Sequence, residues 1–217
     1  EDCRCLGNDS VRIISLYVES KIMMRRSVQS VILLFLILLS SCGDRVDYEY
    51  SSRRIFFTFH NDTHQDPILA SALNSMSPGV YCIIRYSYVS GRHSFSFENN
   101  QGLRSGSPVW FDGIDLRLES WKHVGQNNGL IVGYGNLDVP APLYAYDLQC
   151  PNCFQPNVLP LRSYELKVSS DGFATCTNCH RKYNLNTGGN IVSGEGGKKL
   201  IRYRANCTGS TGVLGIN

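Results

Sequence analysis

The chain is poor in the features that mark several common classes of protein. Only 3 of its 217 residues are methionine and 2 are tryptophan, and 21 Lys+Arg against 18 Asp+Glu leave a net charge of +3. A charge this mixed and this nearly balanced provides no basic field of the kind that binds nucleic acid. The apolar run Val31–Leu39 is too short to span a bilayer comfortably as a helix.

Catalytic signatures are equally scarce. The sequence has no Ser/His/Asp order typical of hydrolases, no pair of carboxylates in a setting suited to acid–base chemistry, and no phosphate-binding loop. Helix-period patterns are also few, whereas 12 tyrosines and 20 glycines are typical of β-rich chains. We therefore predict an all-β, non-catalytic protein.

The first residues differ in character from the rest. Residues 1–22 contain no methionine. We interpret them as an upstream extension of the gene model, with the start at Met23 or Met24. A genuine short polar leader is the alternative.

The following segment has the pattern of a secretory signal. Arg25 and Arg26 precede the apolar run Val31–Leu39, and Leu39-Ser40-Ser41-Cys42 follows it. This ending resembles the bacterial lipobox, in which the cysteine is acylated and becomes the new N-terminus. The resemblance implies a lipoprotein anchored through Cys42 in the cell envelope. Gly43, rather than aspartate, favours the outer membrane by the sorting rule of enteric bacteria. An ordinary signal peptide or a short membrane anchor is the alternative.

The patterns predict the following domain organisation. The expected segments are a signal peptide (23–41), a tether (42–54), a β and short helical lead-in (55–79) and a β domain (80–217) with a metal-binding subdomain at about 143–203.

Short strands dominate the predicted secondary structure. Val80–Val89 and His93–Glu98 predict a hairpin around Ser90-Gly91-Arg92, and Gly113–Glu119 alternates like a further strand. Pro67–Met76 is the one predicted helix. The residues at 60–67, which include His60 and His64, predict a solvated loop rather than a metal site, because Asn, Asp and Pro are turn formers.

Two paired-cysteine turns carry the most specific chemical signal. Cys150-Pro151-Asn152-Cys153 and Cys176-Thr177-Asn178-Cys179 are separated by a spacer that fits structural zinc sites. A tight turn directs the two sulfurs of each pair the same way, so two pairs complete a tetrahedron. We call these turns knuckle 1 and knuckle 2.

The order of motifs around the knuckles resembles the Rieske iron–sulfur domain. The residues that carry the resemblance are Leu143–Asp147 before Cys150-Pro151, Asp171–Thr175 before Cys176-Thr177-Asn178-Cys179-His180, the run Tyr183–Gly189, Ser193-Gly194-Glu195 and Leu200–Tyr203. The likeness covers roughly 129–215. It implies an antiparallel β-sandwich whose two cluster loops have a rubredoxin-like backbone.

This chain departs from the Rieske pattern at both histidine ligands. Asn152 and Cys179 stand where the family has histidine, and His180 falls one residue past the second ligand position. The resemblance therefore implies the fold and the place of the site, and not Rieske redox chemistry.

The expected site is a set of four cysteines, Cys150, Cys153, Cys176 and Cys179. Structural Zn²⁺ is the preferred occupant, and mononuclear Fe or a [2Fe–2S] cluster in an electron carrier is the alternative. Oxidation of each knuckle to a disulfide and c-type haem attachment at Cys176–His180 remain open.

Two further cysteines lie outside the knuckles. Cys82 falls within a predicted strand, and export would place it and Cys207 in an oxidising compartment. The alternatives are a Cys82–Cys207 disulfide and a buried free thiol. We thus expect a membrane-anchored envelope lipoprotein whose partners are the lipid membrane, through Cys42, and an unidentified envelope protein or redox partner.

Overall fold

The computed structural model describes residues 49–53, 55–118 and 123–217. The expectations for the leader, the signal peptide and Cys42 therefore lie outside the described residues. The described strands are β1 (Phe57–His60), β2 (Tyr81–Val89), β3 (Arg92–Asn99), β4 (Val109–Trp110), β5 (Gly129–Tyr134), β6 (Leu143–Asp147), β7 (Leu166–Val168), β8 (Phe173–Cys176), β9 (Lys182–Asn184), β10 (Asn190–Ser193), β11 (Arg202–Tyr203), β12 (Ala205–Cys207) and β13 (Val213–Ile216). The described helices are α1 (Asn61–His64), α2 (Pro67–Ala72), α3 (Gly113–Leu118) and a 3-10 turn at Leu185–Thr187.

The described part is mostly antiparallel β structure, as the composition predicts. A six-stranded sheet has the order β11-β6-β5-β2-β3-β4, and sheets of three (β1-β13-β12) and four (β10-β9-β8-β7) strands accompany it. The predicted hairpin is confirmed, with Val89 opposite Arg92. Its turn residues, Ser90 and Gly91, have φ values of 52° and 77°, and these positive values suit the twist of a tight hairpin.

The six-stranded sheet is buried on both faces along the first half of β2 and most of β5 and β6, which explains the continuous apolar runs there. Alternate residues of β2 point to opposite sides, so Cys82 and Ile84 join one core whereas Tyr81 and Ile83 join the other. The first core adds α2 and the three-stranded sheet, including Phe57 of β1. The second core adds the four-stranded sheet, so the central sheet lies between the two smaller ones.

The helix α2 forms where the sequence predicts a helix, and it is shorter than expected. Asp66 caps it, because its Oδ1 accepts hydrogen bonds of 2.9 Å from the N–H groups of Ile68 and Leu69. Pro67 occupies the first turn, where its missing N–H costs nothing. The helix ends at Ala72 rather than Met76.

The prediction of a strand at Gly113–Glu119 is wrong. The structure has the helix α3 at Gly113–Leu118. Asp112 Oδ1 accepts hydrogen bonds from the N–H groups of Ile114 (2.7 Å) and Asp115 (2.8 Å), so the chain turns into a helix despite its alternating pattern. Leu116 is exposed, as the short helix buries Asp115 instead.

Candidate metal centre

Each knuckle lies where a strand ends. Knuckle 1 follows β6, and the Cys150 N–H donates to the carbonyl of Tyr164, which precedes β7 (2.9 Å). Knuckle 2 begins with the last residue of β8, Cys176, whose N–H donates to the carbonyl of Arg181 (3.0 Å). The second core packs behind both turns, and Cys150 and Cys176 are buried within it. The sheets therefore fix the positions of both sulfur pairs.

The structure brings the four predicted cysteines together. All four sulfurs lie within 4.8 Å of one another. The pairs Cys150–Cys179 and Cys153–Cys176, each with one member from each knuckle, have Sγ–Sγ distances of 3.7 and 3.8 Å. All four cysteines are free thiols. The sulfurs thus form one compact group, and the disulfides considered within each knuckle are absent.

Polar groups around the sulfurs can donate hydrogen bonds to thiolates. The Tyr183 hydroxyl lies 3.4 Å from Cys150 Sγ, and the Asn178 side-chain amide donates to Cys153 Sγ at 3.3 Å. The backbone N–H and guanidinium of the neighbouring Arg181 lower the pKa of the Cys179 thiol. Such outer partners orient ligands and spread the negative charge of a metal–thiolate centre.

The same surroundings shift the pKa values of the thiols in opposite directions. Burial raises the pKa of Cys150 to about 12, although the Tyr183 hydroxyl partly offsets it. Burial also raises the pKa of Cys153. At Cys179 burial acts the same way, but Arg181, together with the neighbouring thiols of Cys153 and Cys150, outweighs it and lowers the pKa to about 6. At neutral pH without a metal, Cys179 is therefore ionised, whereas Cys150 and Cys153 hold protons that a metal ion must displace.

The residues that the Rieske resemblance aligns with histidine differ in their contacts. The Asn152 side-chain amide donates to the Tyr183 hydroxyl (2.8 Å), so it lies beside the site without belonging to the sulfur group. Cys179 is itself one of the four sulfurs. His180 is exposed, lies outside the group and has a left-handed backbone, with φ of 59°.

Sequence reasoning missed the residues that donate to the sulfurs. Asn178, Tyr183 and Arg181 were not predicted as partners of the site. A signal was present, since both knuckles read Cys-x-Asn-Cys, with Asn152 and Asn178 directly before the second cysteine. In the structure both amides donate hydrogen bonds within the centre.

The prediction of a solvated loop around His64 is wrong. Residues Asn61–His64 form α1, and His64 Nε2 lies 2.7 Å from Asp115 Oδ2 and 3.6 Å from Asp112 Oδ2. The His64 ring also stacks on Phe59, at 4.8 Å between centroids. Asp112 caps α3 at the same time, so this group ties α1 to α3.

The Cys82–Cys207 disulfide is absent from the structure. Cys82 is a fully buried free thiol on β2, as the alternative interpretation held. Burial raises its pKa well above the usual range. Cys207, on β12, has its Sγ 3.3 Å from the Tyr134 hydroxyl. The sulfurs of Cys82 and Cys207 therefore contact different groups in the fold.

Within the described residues, no helix has the length and apolar character that a bilayer crossing requires. Comparison with known protein families, with curated proteins and with solved structures finds no match for this chain. The assignment of a function therefore depends on the geometry of the site itself.

Proposed function

We propose that Cys150, Cys153, Cys176 and Cys179 hold a single tetrahedral zinc ion that stabilises a non-catalytic β domain. The observation that carries this proposal is the spacing of the sulfurs. Zn–S bonds of about 2.3 Å in a regular tetrahedron place the sulfurs about 3.8 Å apart. The Cys150–Cys179 and Cys153–Cys176 sulfur pairs are 3.7 and 3.8 Å apart, so a closed tetrahedral site for a redox-silent ion fits the four sulfur donors.

The same spacing speaks against a two-iron cluster. A [2Fe–2S] cluster binds two cysteines on each iron, so sulfurs on different irons lie farther apart than sulfurs on the same iron. Here all four lie within 4.8 Å. A haem at Cys176–His180 would leave the knuckle 1 sulfurs without a role, although they contact those of knuckle 2.

Mononuclear iron is the second candidate, in an electron-transfer protein. Iron would bind in the same tetrahedron, and one observation favours it. Cys153 and Cys179 are only half-buried, so an electron has a short route between the centre and a redox partner. Hydrogen bonds to the sulfurs also tune the potential of iron–thiolate centres.

We further propose that the domain is a Rieske-like β-sandwich with a rubredoxin-like metal subdomain. The order of elements supports it, since β6 leads into knuckle 1, β8 into knuckle 2, and β9 and β10 follow as a hairpin. The four-stranded sheet carries knuckle 2 and packs against the central sheet through the second core. With Asn152 and Cys179 in place of the histidines, such a domain has exchanged the cluster for a four-cysteine site.

The sequence at Leu39–Cys42 supports a location at the bacterial envelope. Acylation of Cys42 would anchor the protein to a membrane, because each buried CH₂ of an acyl chain contributes about 0.8 kcal/mol. Gly43 after the cysteine favours the outer membrane. The tether then connects the lipid to the folded part. At its end, Glu49 pairs with Arg202 at 2.7 Å, and the Ser51 N–H donates to the Arg202 carbonyl at 2.8 Å.

Cobalt substitution tests the coordination proposal. A tetrahedral tetrathiolate Co²⁺ centre gives intense visible d–d bands and sulfur-to-metal charge-transfer bands in the near ultraviolet. We expect these bands at one Co²⁺ per chain, and their loss on addition of one equivalent of Zn²⁺. Weak bands typical of octahedral Co²⁺ would show that the four thiolates do not bind one ion.

A further inference from the structure

A loop that supplies no sulfur lies beside both knuckles and is held there by hydrogen bonds. We call residues 194–198, Gly-Glu-Gly-Gly-Lys, the bridging loop. It follows β10 and contacts one side chain from knuckle 1, Asn152, and one two residues past knuckle 2, Arg181. Each of these residues also has a hydrogen bond within the centre, Asn152 to the Tyr183 hydroxyl and Arg181 from the Cys176 N–H.

Arg181 binds the bridging loop through two backbone carbonyls. Its Nε donates to the Glu195 carbonyl at 2.9 Å, and its Nη2 donates to the Gly196 carbonyl at 3.0 Å. Arg181 is also held to knuckle 2, because its backbone carbonyl accepts a hydrogen bond of 3.0 Å from the Cys176 N–H. The planar fork of arginine suits this geometry, because it directs several fixed N–H groups at different acceptors. The side chain is only 13% exposed.

Asn152 binds the other end of the loop. Its Oδ1 accepts from the Lys198 N–H at 2.9 Å, and its Nδ2 donates to the Lys198 carbonyl at 2.8 Å. The same Nδ2 donates to the Tyr183 hydroxyl at 2.8 Å, and that hydroxyl lies 3.4 Å from Cys150 Sγ. The amide thus joins the loop to a sulfur through one intervening hydroxyl.

The loop needs glycine to lie this close. Gly194 has φ of 97°, and a Cβ there would lie 3.1 Å from Arg181 Cα. A Cβ on Gly197 would lie 2.4 Å from Asn152 Oδ1. A side chain at position 197 would displace the Asn152 amide, and one at position 194 would have to adopt a left-handed backbone.

We propose that Asn152 and Arg181 are positioning residues that lock the two knuckles together through the bridging loop and so slow the release of the metal ion. This inference rests on the proposed zinc site. Zinc leaves a four-cysteine site more readily when one sulfur pair can move away from the other. The loop opposes that movement, because it holds both pairs from outside the coordination shell.

Zinc transfer to a chromogenic chelator, measured on the full chain, tests this inference. The variants are Arg181→Lys and Asn152→Ala. Lysine keeps the charge beside Cys179 but lacks the fork that holds two carbonyls. We expect zinc transfer to become about 10–100-fold faster in both, the range usual for outer partners of metal ligands. Hydrogen exchange of the Lys198 amide should become faster as well.

Arg162→Lys is the matched control. Arg162 is exposed and lies near Cys153, and it makes no ion pair among the described residues. Its variant should transfer zinc at the wild-type rate. Metal content is measured first. A wild-type chain without metal would overturn the zinc site and this inference together, whereas one zinc per chain with unchanged transfer in both variants would overturn this inference alone.

Discussion

Replacing Cys176 by serine should remove the metal ion and increase local unfolding of the four-stranded sheet, while the stability of the six-stranded sheet is unchanged. Cys176 is the last residue of β8 and is 1% exposed. A serine hydroxyl is a poor ligand for a soft metal at neutral pH, and three remaining thiolates do not close the tetrahedron. The loss of the ion then acts first on the sheet that carries knuckle 2.

The magnitude follows from ligand linkage. A bound ion present at a thousand times its Kd stabilises the folded state by about 4 kcal/mol. Removing that stabilisation raises the opening equilibrium of the segment it supports about a thousandfold. The four-stranded sheet has its own buried side chains, Leu166, Ala174 and Tyr183. The loss should therefore produce local opening rather than global unfolding.

Hydrogen exchange with residue resolution measures this effect. Amides of β7, β8 and β9 should exchange about a thousandfold faster, whereas those of the β2–β5 pairing, such as Ile83 and Ile131, should be unchanged. Cys207→Ser is the matched control, because Cys207 contacts the Tyr134 hydroxyl and lies outside the sulfur group. A Cys176→Ser protein with one zinc, or uniformly faster exchange in both sheets, would refute the reasoning.

Three further predictions concern protonation, backbone conformation and anchoring. Metal affinity should rise between pH 7 and 9, and binding should release at least two protons, because burial raises the pKa values of Cys150 and Cys153. The pH dependence of the affinity should steepen below about pH 6, where Cys179 also takes up a proton. Chelator competition across pH measures the affinity, and a flat profile would contradict this prediction. His180 has φ of 59°, a left-handed conformation that glycine adopts easily and a β-branched residue does not. His180→Gly should therefore preserve one metal per chain and stabilise the fold by up to about 1 kcal/mol, whereas His180→Val should destabilise the fold by about 1–3 kcal/mol. Denaturant titration with metal analysis tests both variants, and loss of metal in the glycine variant would count against a site without His180. Cys42→Ala should abolish acylation and leave the protein uncleaved or soluble; mass spectrometry of the N-terminus and membrane fractionation test this, and a processed variant that stays with the membrane as the wild type does would rule out the lipobox interpretation.

The local signals in the sequence predicted the site well because its chemistry is local. Each Cys-x-x-Cys pair is fixed by one tight turn, so spacing alone identifies the four cysteines that the structure brings together. The β-branched and aromatic residues of Val80–Val89 likewise predicted a strand, and the structure has β2 there. In these cases the information lies within a few residues.

Features that depend on distant contacts were not predictable in the same way. The helix at Gly113–Leu118 is a different case, because its cap, Asp112, is the preceding residue; this signal was local, and the alternating pattern of Gly113–Glu119 favoured a strand instead. His64 resembled a loop residue because its partner, Asp115, lies far along the chain. The sequence left a Cys82–Cys207 disulfide and a buried free thiol open for the same reason, because the contacts of the two cysteines are set only when the sheets assemble.

The metal and sulfide content of the full chain, purified without added metal, tests the central claim most directly. The account predicts one zinc per chain, no iron, no labile sulfide and no visible absorption, with four sulfurs held at the spacing of a single tetrahedron. Two irons with two labile sulfides per chain, and the visible charge-transfer bands of a cluster, would contradict it.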